Sequence, residues 1–235
     1  MTKLRIKTLT LSHFQQNTRI LFNETTHLAM IIDPGFDEDL IIKESDLDKY
    51  ALHSIVLTHA HLDHAGAVQP LLNKLKTSHK ITPPLYYHSN ETPIAECIDQ
   101  LSESYGLKGL YHNAPPATQW LDDLSPITFG DITFTVLFTP GHSPGHISLF
   151  TTPKKTHLEG QFSEPTSPNQ PILIAGDALF QNSIGRTDLP LANHDQLITS
   201  IKTQLLTQPD TTLVLTGHGP NTTIGQEKKN NPFLI

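Results

Sequence analysis

The heptapeptide Thr58-His59-Ala60-His61-Leu62-Asp63-His64 limits what this chain can fold into more than any other segment. Four side chains of metal-ligand type fall within six positions, directly after the apolar run Ile55-Val56-Leu57. In an extended segment, residues two apart point the same way, so His59 and His61 can reach one ion together. A turn into a helix beginning near His64 would aim Asp63 and His64 at a second point close by. A single continuous helix could not bring all four to one place. The spacing therefore asks for a strand end, a tight turn and a helix start.

Three more candidates sit in the same kind of place. His142 follows the alternating run Ile132–Phe138, in Thr139-Pro140-Gly141-His142. Asp177 follows Ile172–Ala175, in Ala175-Gly176-Asp177, and His218 follows Leu213–Leu215, in Thr216-Gly217-His218-Gly219. Each time a short apolar strand ends, a glycine allows a sharp turn, and a ligand-type side chain is presented. Sites gather at the carboxyl ends of sheet strands, which gives this schedule a physical meaning. Composition agrees, because 14 of 235 residues are His. Histidine is the commonest nitrogen ligand of transition metals.

The remaining chain reads as one domain of mixed strands and helices, spanning 1–235. Leu4–Leu11, Thr18–Phe22, Leu28–Ile32, Leu85–Tyr87 and Ile147–Phe150 are strand patterns. The alternation extends back towards Met1 and Thr2, with no apolar core of a signal peptide. Asp37–Tyr50, the stretch from His64 to about Lys76, Pro93–Tyr105, Asp195–Leu206 and Thr223–Lys229 read as helices. Asp33-Pro34-Gly35 is a turn, and the polar stretch 152–170 reads as a surface insertion. Cys97, the single cysteine, excludes an internal disulfide and fits a reducing, cytoplasmic setting. Its place in the Pro93–Tyr105 pattern predicts a packed thiol. A net charge of −7 argues against nucleic acid, and no run approaches the roughly 20 apolar residues of a membrane span.

Several segments together resemble the metallo-β-lactamase superfamily, and within it the short glyoxalase II-like hydrolases. They are THAHLDHAG (58–66), TPGHSPGH (139–146), GDALF (176–180), GRTD (185–188) and GHGP (217–220), with Asn231-Pro232-Phe233 near the C-terminus. The resemblance covers nearly the whole chain, 152–170 being the clearest departure. It implies a four-layer αβ/βα sandwich with two divalent metal ions at one edge, zinc foremost and iron or manganese as alternatives. By position it assigns His59, His61 and His142 to one ion, Asp63, His64 and His218 to the other, and Asp177 to a bridge between them. His146 then falls behind the ligands. The implied reaction is hydrolysis of a small-molecule thioester such as S-lactoylglutathione by a metal-bridging hydroxide, with Asp63 and Asp177 as catalytic groups.

Arg186 has two readings: it binds a substrate carboxylate, or it pairs with Asp188. Phe14, Gln16 and Asn17 are candidates for the cleft wall. Full-length glyoxalase II enzymes carry a C-terminal helical extension for glutathione, whereas only 17 residues follow His218 here. Two alternatives share the fold. One is a persulfide dioxygenase with a single iron at His59, His142 and Asp177, a group that usually has Cys where His146 stands. The other is a lactone or β-lactam hydrolase.

Overall fold

Apolar residues at every second position give a strand two faces, and in this chain both faces of both sheets are covered. The computed structural model describes residues 3–235; Met1 and Thr2 lie outside the described residues. The first sheet contains β1 (Lys3–Leu11), β2 (Gln16–Asn23), β3 (Leu28–Ile32), β4 (Ala51–Val56), β5 (Leu85–Tyr87) and β6 (Gln119–Trp120). These run in spatial order, with β10 (Lys155–Gly160) on the outer side of β1. The second sheet has the order β15 (Thr222–Thr223), β14 (Leu213–Thr216), β11 (Ile172–Gly176), β9 (Ile147–Thr151), β8 (Ile132–Phe138), β7 (Pro126–Phe129). A small hairpin, β12 (Leu179–Phe180) and β13 (Ser183–Ile184), stands apart.

Three apolar layers follow from that alternation. Leu21, Met30, Ile32 and Val56 of the first sheet face Phe134, Val136, Leu149 and Ile174 of the second. Their neighbours Ile20, Phe22, Ile31 and Ile55 point outward, under α1 (Glu38–Glu44), α3 (Val68–Lys74) and α5 (Ile98–Ser104). On the far side Leu173, Ala175 and Val214 are covered by α6 (His194–Ser200) and α7 (Ile224–Asn230). The result is the expected αβ/βα sandwich.

Several boundaries differ from the sequence pattern. The helix expected over Asp37–Tyr50 stops at Glu44, and Asp46 adopts φ 48°, a left-handed conformation that cannot continue a helix. The helix after His64 breaks into α2 (Leu62–Ala65) and α3 at Gly66, where an added Cβ would lie 2.5 Å from the Tyr111 ring. Pro93–Tyr105 is likewise two pieces, α4 (Thr92–Ala95) and α5. The junction at Glu96–Cys97 turns Cys97 outward, so this thiol is exposed and the packed-thiol expectation fails. The polar stretch 152–170 supplies β10, which pairs in parallel with β1 and buries Thr156 and Leu158. Its period-two signal was hidden by the Lys, His and Glu on the other face.

Strand direction decides where side chains collect. β3 and β4 are parallel, as are β11 and β14, and β8 runs the same way because β9 is antiparallel to both β8 and β11. Their carboxyl ends meet at one edge. There the backbone joins the sheets: Ile147 N donates to Thr58 O at 2.9 Å and Asn17 N to Gly217 O at 2.7 Å. Glu91, fully buried in the turn after β5, ties the loops together. Its carboxylate accepts from Ala60 N at 2.7 Å, Ser143 Oγ at 2.7 Å and Gly145 N at 2.6 Å. Burial pushes this carboxyl above its usual range even against those three donors.

Glu91→Ala would strand two buried amide donors, each costing about 1–3 kcal/mol. The expected loss of stability is about 3 kcal/mol, read as a lowered urea midpoint, with Glu91→Gln costing less. An unchanged midpoint for the alanine variant would remove the clamp from the account.

Candidate metal centre

Each side chain picked out at a strand end arrives at the same edge. His59, His61 and His142 form one group whose ligand atoms lie within 4.8 Å of one another, and Asp63, His64 and His218 form a second. Asp177 stands between them. Its Oδ1 is 3.3 Å from His64 Nε2, and its Oδ2 is 3.5 Å from His218 Nε2 and 3.6 Å from His142 Nε2. Within the groups, His61 Nδ1 is 2.9 Å from His142 Nε2, and His218 Nε2 is 3.2 Å from both His64 Nε2 and Asp63 Oδ2. Two nitrogen ligands about 2.0–2.1 Å from a tetrahedral zinc lie roughly 3.3 Å apart. The observed separations centre on that value.

The outer nitrogens show which atoms are free. His142 Nδ1 donates to Arg186 O at 2.8 Å and His218 Nδ1 to Phe14 O at 3.0 Å. His64 Nδ1 lies 3.0 Å from Asp33 Oδ2. Thr58 Oγ1 donates to the same carboxylate at 2.7 Å and so accepts from His59 Nδ1 at 3.0 Å. Four imidazoles thus have their protonated nitrogen held outward, leaving Nε2 directed at the centre. His59 Nε2 is buried with no partner at all. Asp177 Oδ1 also makes no hydrogen bond, despite its contact with His64. A buried lone pair without a donor is costly, and a divalent cation satisfies several at once. The residues present fit such a group.

Electrostatics point the same way. Burial would raise the Asp177 carboxyl, but facing His64 and His218 outweigh it and hold it far below the usual range. His64 moves far upward, because Asp177 and Asp63 overcome the effect of burial. His59 is driven far down by burial and by His64 and His61, and His61 falls to about 3 through burial and His142. The carboxylates that draw His64 upward are placed to face a divalent cation at the same point.

Two supports escaped the sequence reading. Asp33, at φ 52° and 2% exposed, receives Thr58 N and Oγ1, both at 2.7 Å, as well as His64. The signal was available: Asp33 follows β3 and precedes Gly35, on the schedule of the other strand ends. Gly35 is required there, since an added Cβ would lie 1.5 Å from Asp63 O. Glu91 had no such signal; only the folded chain brings it to both loops.

Other candidates land differently. His146 Nε2 accepts from Asp177 N at 3.0 Å and its Nδ1 lies 2.8 Å from Thr139 Oγ1, so neither nitrogen is free. Gln16 and Asn17 are buried in β2 and do not line the cleft. Gln16 Nε2 donates to Asp33 O at 2.9 Å, and Asn17 Nδ2 donates to Gly219 O at 3.0 Å, steadying the turn that carries His218. Phe14 does face the cleft. Arg186 Nε and Nη2 donate to the two Asp188 oxygens at 2.7 and 2.8 Å. The centre opens into a cavity of about 730 Å³, with His61, Asp63, His142, Asp177 and His218 among its lining.

The sequence pattern of the metallo-beta-lactamase superfamily matches residues 15–156 and 162–218. Hydroxyacylglutathione hydrolase GloC of Haemophilus influenzae is 33% identical over 234 residues, covering 98% of each chain. The crystal structure of BLEG-1 B3 metallo-beta-lactamase is 36% identical with a TM-score of 0.78, covering 97% of this chain and 99% of that one. That of TTHA1623 in a di-iron-bound form is 33% identical with a TM-score of 0.76 and the same coverage. Agreement along this much of the polypeptide, in sequence and in layers alike, makes the chain a member of the metallo-beta-lactamase superfamily.

Proposed function

We propose that this chain is a dinuclear metal-dependent hydrolase that cleaves thioesters, with S-lactoylglutathione as the reference substrate. The observation that carries the reading is the convergence of lone pairs from two complete triads on either side of Asp177. His59, His61 and His142 would hold one ion, and Asp63, His64 and His218 the other, with the Asp177 carboxylate between. Zinc suits this nitrogen-rich set, and iron or manganese could occupy it as well. When bound, the ions supply Lewis acidity, which activates water near neutral pH and stabilises a developing oxyanion.

The chain's own groups do the rest. Asp33, Thr58, Phe14 O and Arg186 O fix the imidazole orientations, so that no reorganisation is needed when charge develops. Asp63 and Asp177 both border the cavity. Asp63 would orient the water as well as hold metal, and His146 Nε2 accepts the Asp177 backbone N–H. A thiol leaves readily as an anion, so no separate general acid is needed for the sulfur. The relative named hydroxyacylglutathione hydrolase supports this substrate class. β-Lactam hydrolysis is the second reading, favoured by the likeness to BLEG-1. A mononuclear iron site would leave the Asp63–His64–His218 triad without its ion.

Reconstituted protein is expected to bind two metal equivalents per chain by elemental analysis, and chelation should remove thioesterase activity with the metal. A single equivalent at full activity would end the dinuclear reading. Asp177→Ala should lower kcat/KM on the order of 10³-fold and release metal. Asp33→Ala, which leaves all seven proposed ligands in place, should weaken metal affinity about 10–100-fold in a competition titration.

A further inference from the structure

The cavity above the centre has walls that do not match a highly charged substrate. Its lining includes Ile94 and Leu101, from the helices flanking Cys97, with Tyr105, and Leu189 and Leu191 from a separate loop. Tyr105 and Leu191 are 54% and 60% exposed, and Phe14, also in the lining, is 38% exposed. Large apolar side chains left in water around one concavity mark a binding surface. The helix α5 explains how this happens: Ile98 points into the core, while Cys97, Gln100, Leu101 and Ser104 face the cavity.

Charge completes the picture. Among the residues lining the cavity, Arg186 is the one Lys or Arg, and the Asp188 carboxylate occupies its fork with two hydrogen bonds. Away from the histidines and aspartates of the centre itself, the polar wall residues Gln100, Ser104 and Ser183 are neutral. A glutathione unit carries two carboxylates, and the walls away from the centre offer them no cation beyond the paired Arg186. From the lining and the neutralised arginine we infer that the site selects thioesters with an apolar, uncharged body. This rests on the thioesterase reading above, keeps its reaction, and replaces its glutathione reference substrate with fatty acyl groups on an uncharged thiol.

Cys97, the single cysteine, is exposed in this wall and reports occupancy without any turnover. In metal-loaded protein its alkylation by iodoacetamide is followed with three stable thioethers: S-octyl-N-acetylcysteamine, S-methyl-N-acetylcysteamine and S-methylglutathione. The octyl compound is expected to slow alkylation at least fivefold at concentrations where the other two have no effect. In parallel, kcat/KM for N-acetylcysteamine thioesters should rise about threefold per methylene from acetyl to octanoyl, and S-lactoylglutathione should fall below the octanoyl substrate. Equal protection by S-methylglutathione, a preference for S-lactoylglutathione, or a thiol that is unreactive in free protein would overturn the inference. Protection by the octyl thioether without hydrolysis of any thioester would overturn the hydrolase reading instead.

Discussion

Ligand-type nitrogens from separate loops crowd together at the edge shared by the two sheets, and the architecture around them enforces that approach. Donor atoms of His61 and His142, and of His64 and His218, stand 2.9 and 3.2 Å apart, and an unpartnered His59 nitrogen lies buried beside them. The rest of the architecture enforces this crowding. Parallel strand ends deliver the ligand-bearing turns, glycines let them approach, and carbonyls and hydroxyls behind the rings forbid rotation. Gly217 shows how little slack remains, because an added Cβ would lie 2.0 Å from Asp177 Oδ1. A divalent cation at the middle would satisfy these donor atoms together.

Much of this was legible before folding. The H-x-H-x-D-H spacing and three Gly-ligand turns after short strands named all seven residues that converge, because both ligand type and position are local properties. The strand alternation of Ile132–Phe138 likewise matched the observed strand. What the sequence concealed was non-local or broken in period. Helix interruptions at Gly66 and at Cys97 reset the faces, so a thiol expected in the core sits in the cavity wall. Glu91 acts across 31 and 54 residues of chain, a distance no spacing argument reaches. β10 was masked by its solvent-facing charges, and its parallel partner lies about 150 residues earlier.

The cavity and the metal edge make separate demands on the same few loops. The imidazoles need fixed angles, whereas the cavity above them is bounded by apolar side chains. The chain divides these tasks by element. Strand ends and the turns after them carry the ligands, and α5 with the loop at 189–191 carries the walls. Arg186 belongs to both: its carbonyl steadies His142 while its guanidinium is occupied by Asp188. Changes in specificity can therefore occur in the walls without disturbing the chemistry.

β10 leaves the second sheet's β9 and pairs with β1 of the first. The two halves of the sandwich are consequently fastened in different ways, by covalent chain at that crossing and by backbone hydrogen bonds at Thr58–Ile147 and Asn17–Gly217. Neither fastening involves an ion. The contacts that join the sheets are therefore main-chain ones, one residue away from His59 and from His218 but independent of their side chains. A substitution at a ligand side chain can thus alter the centre while leaving the seam between the sheets intact.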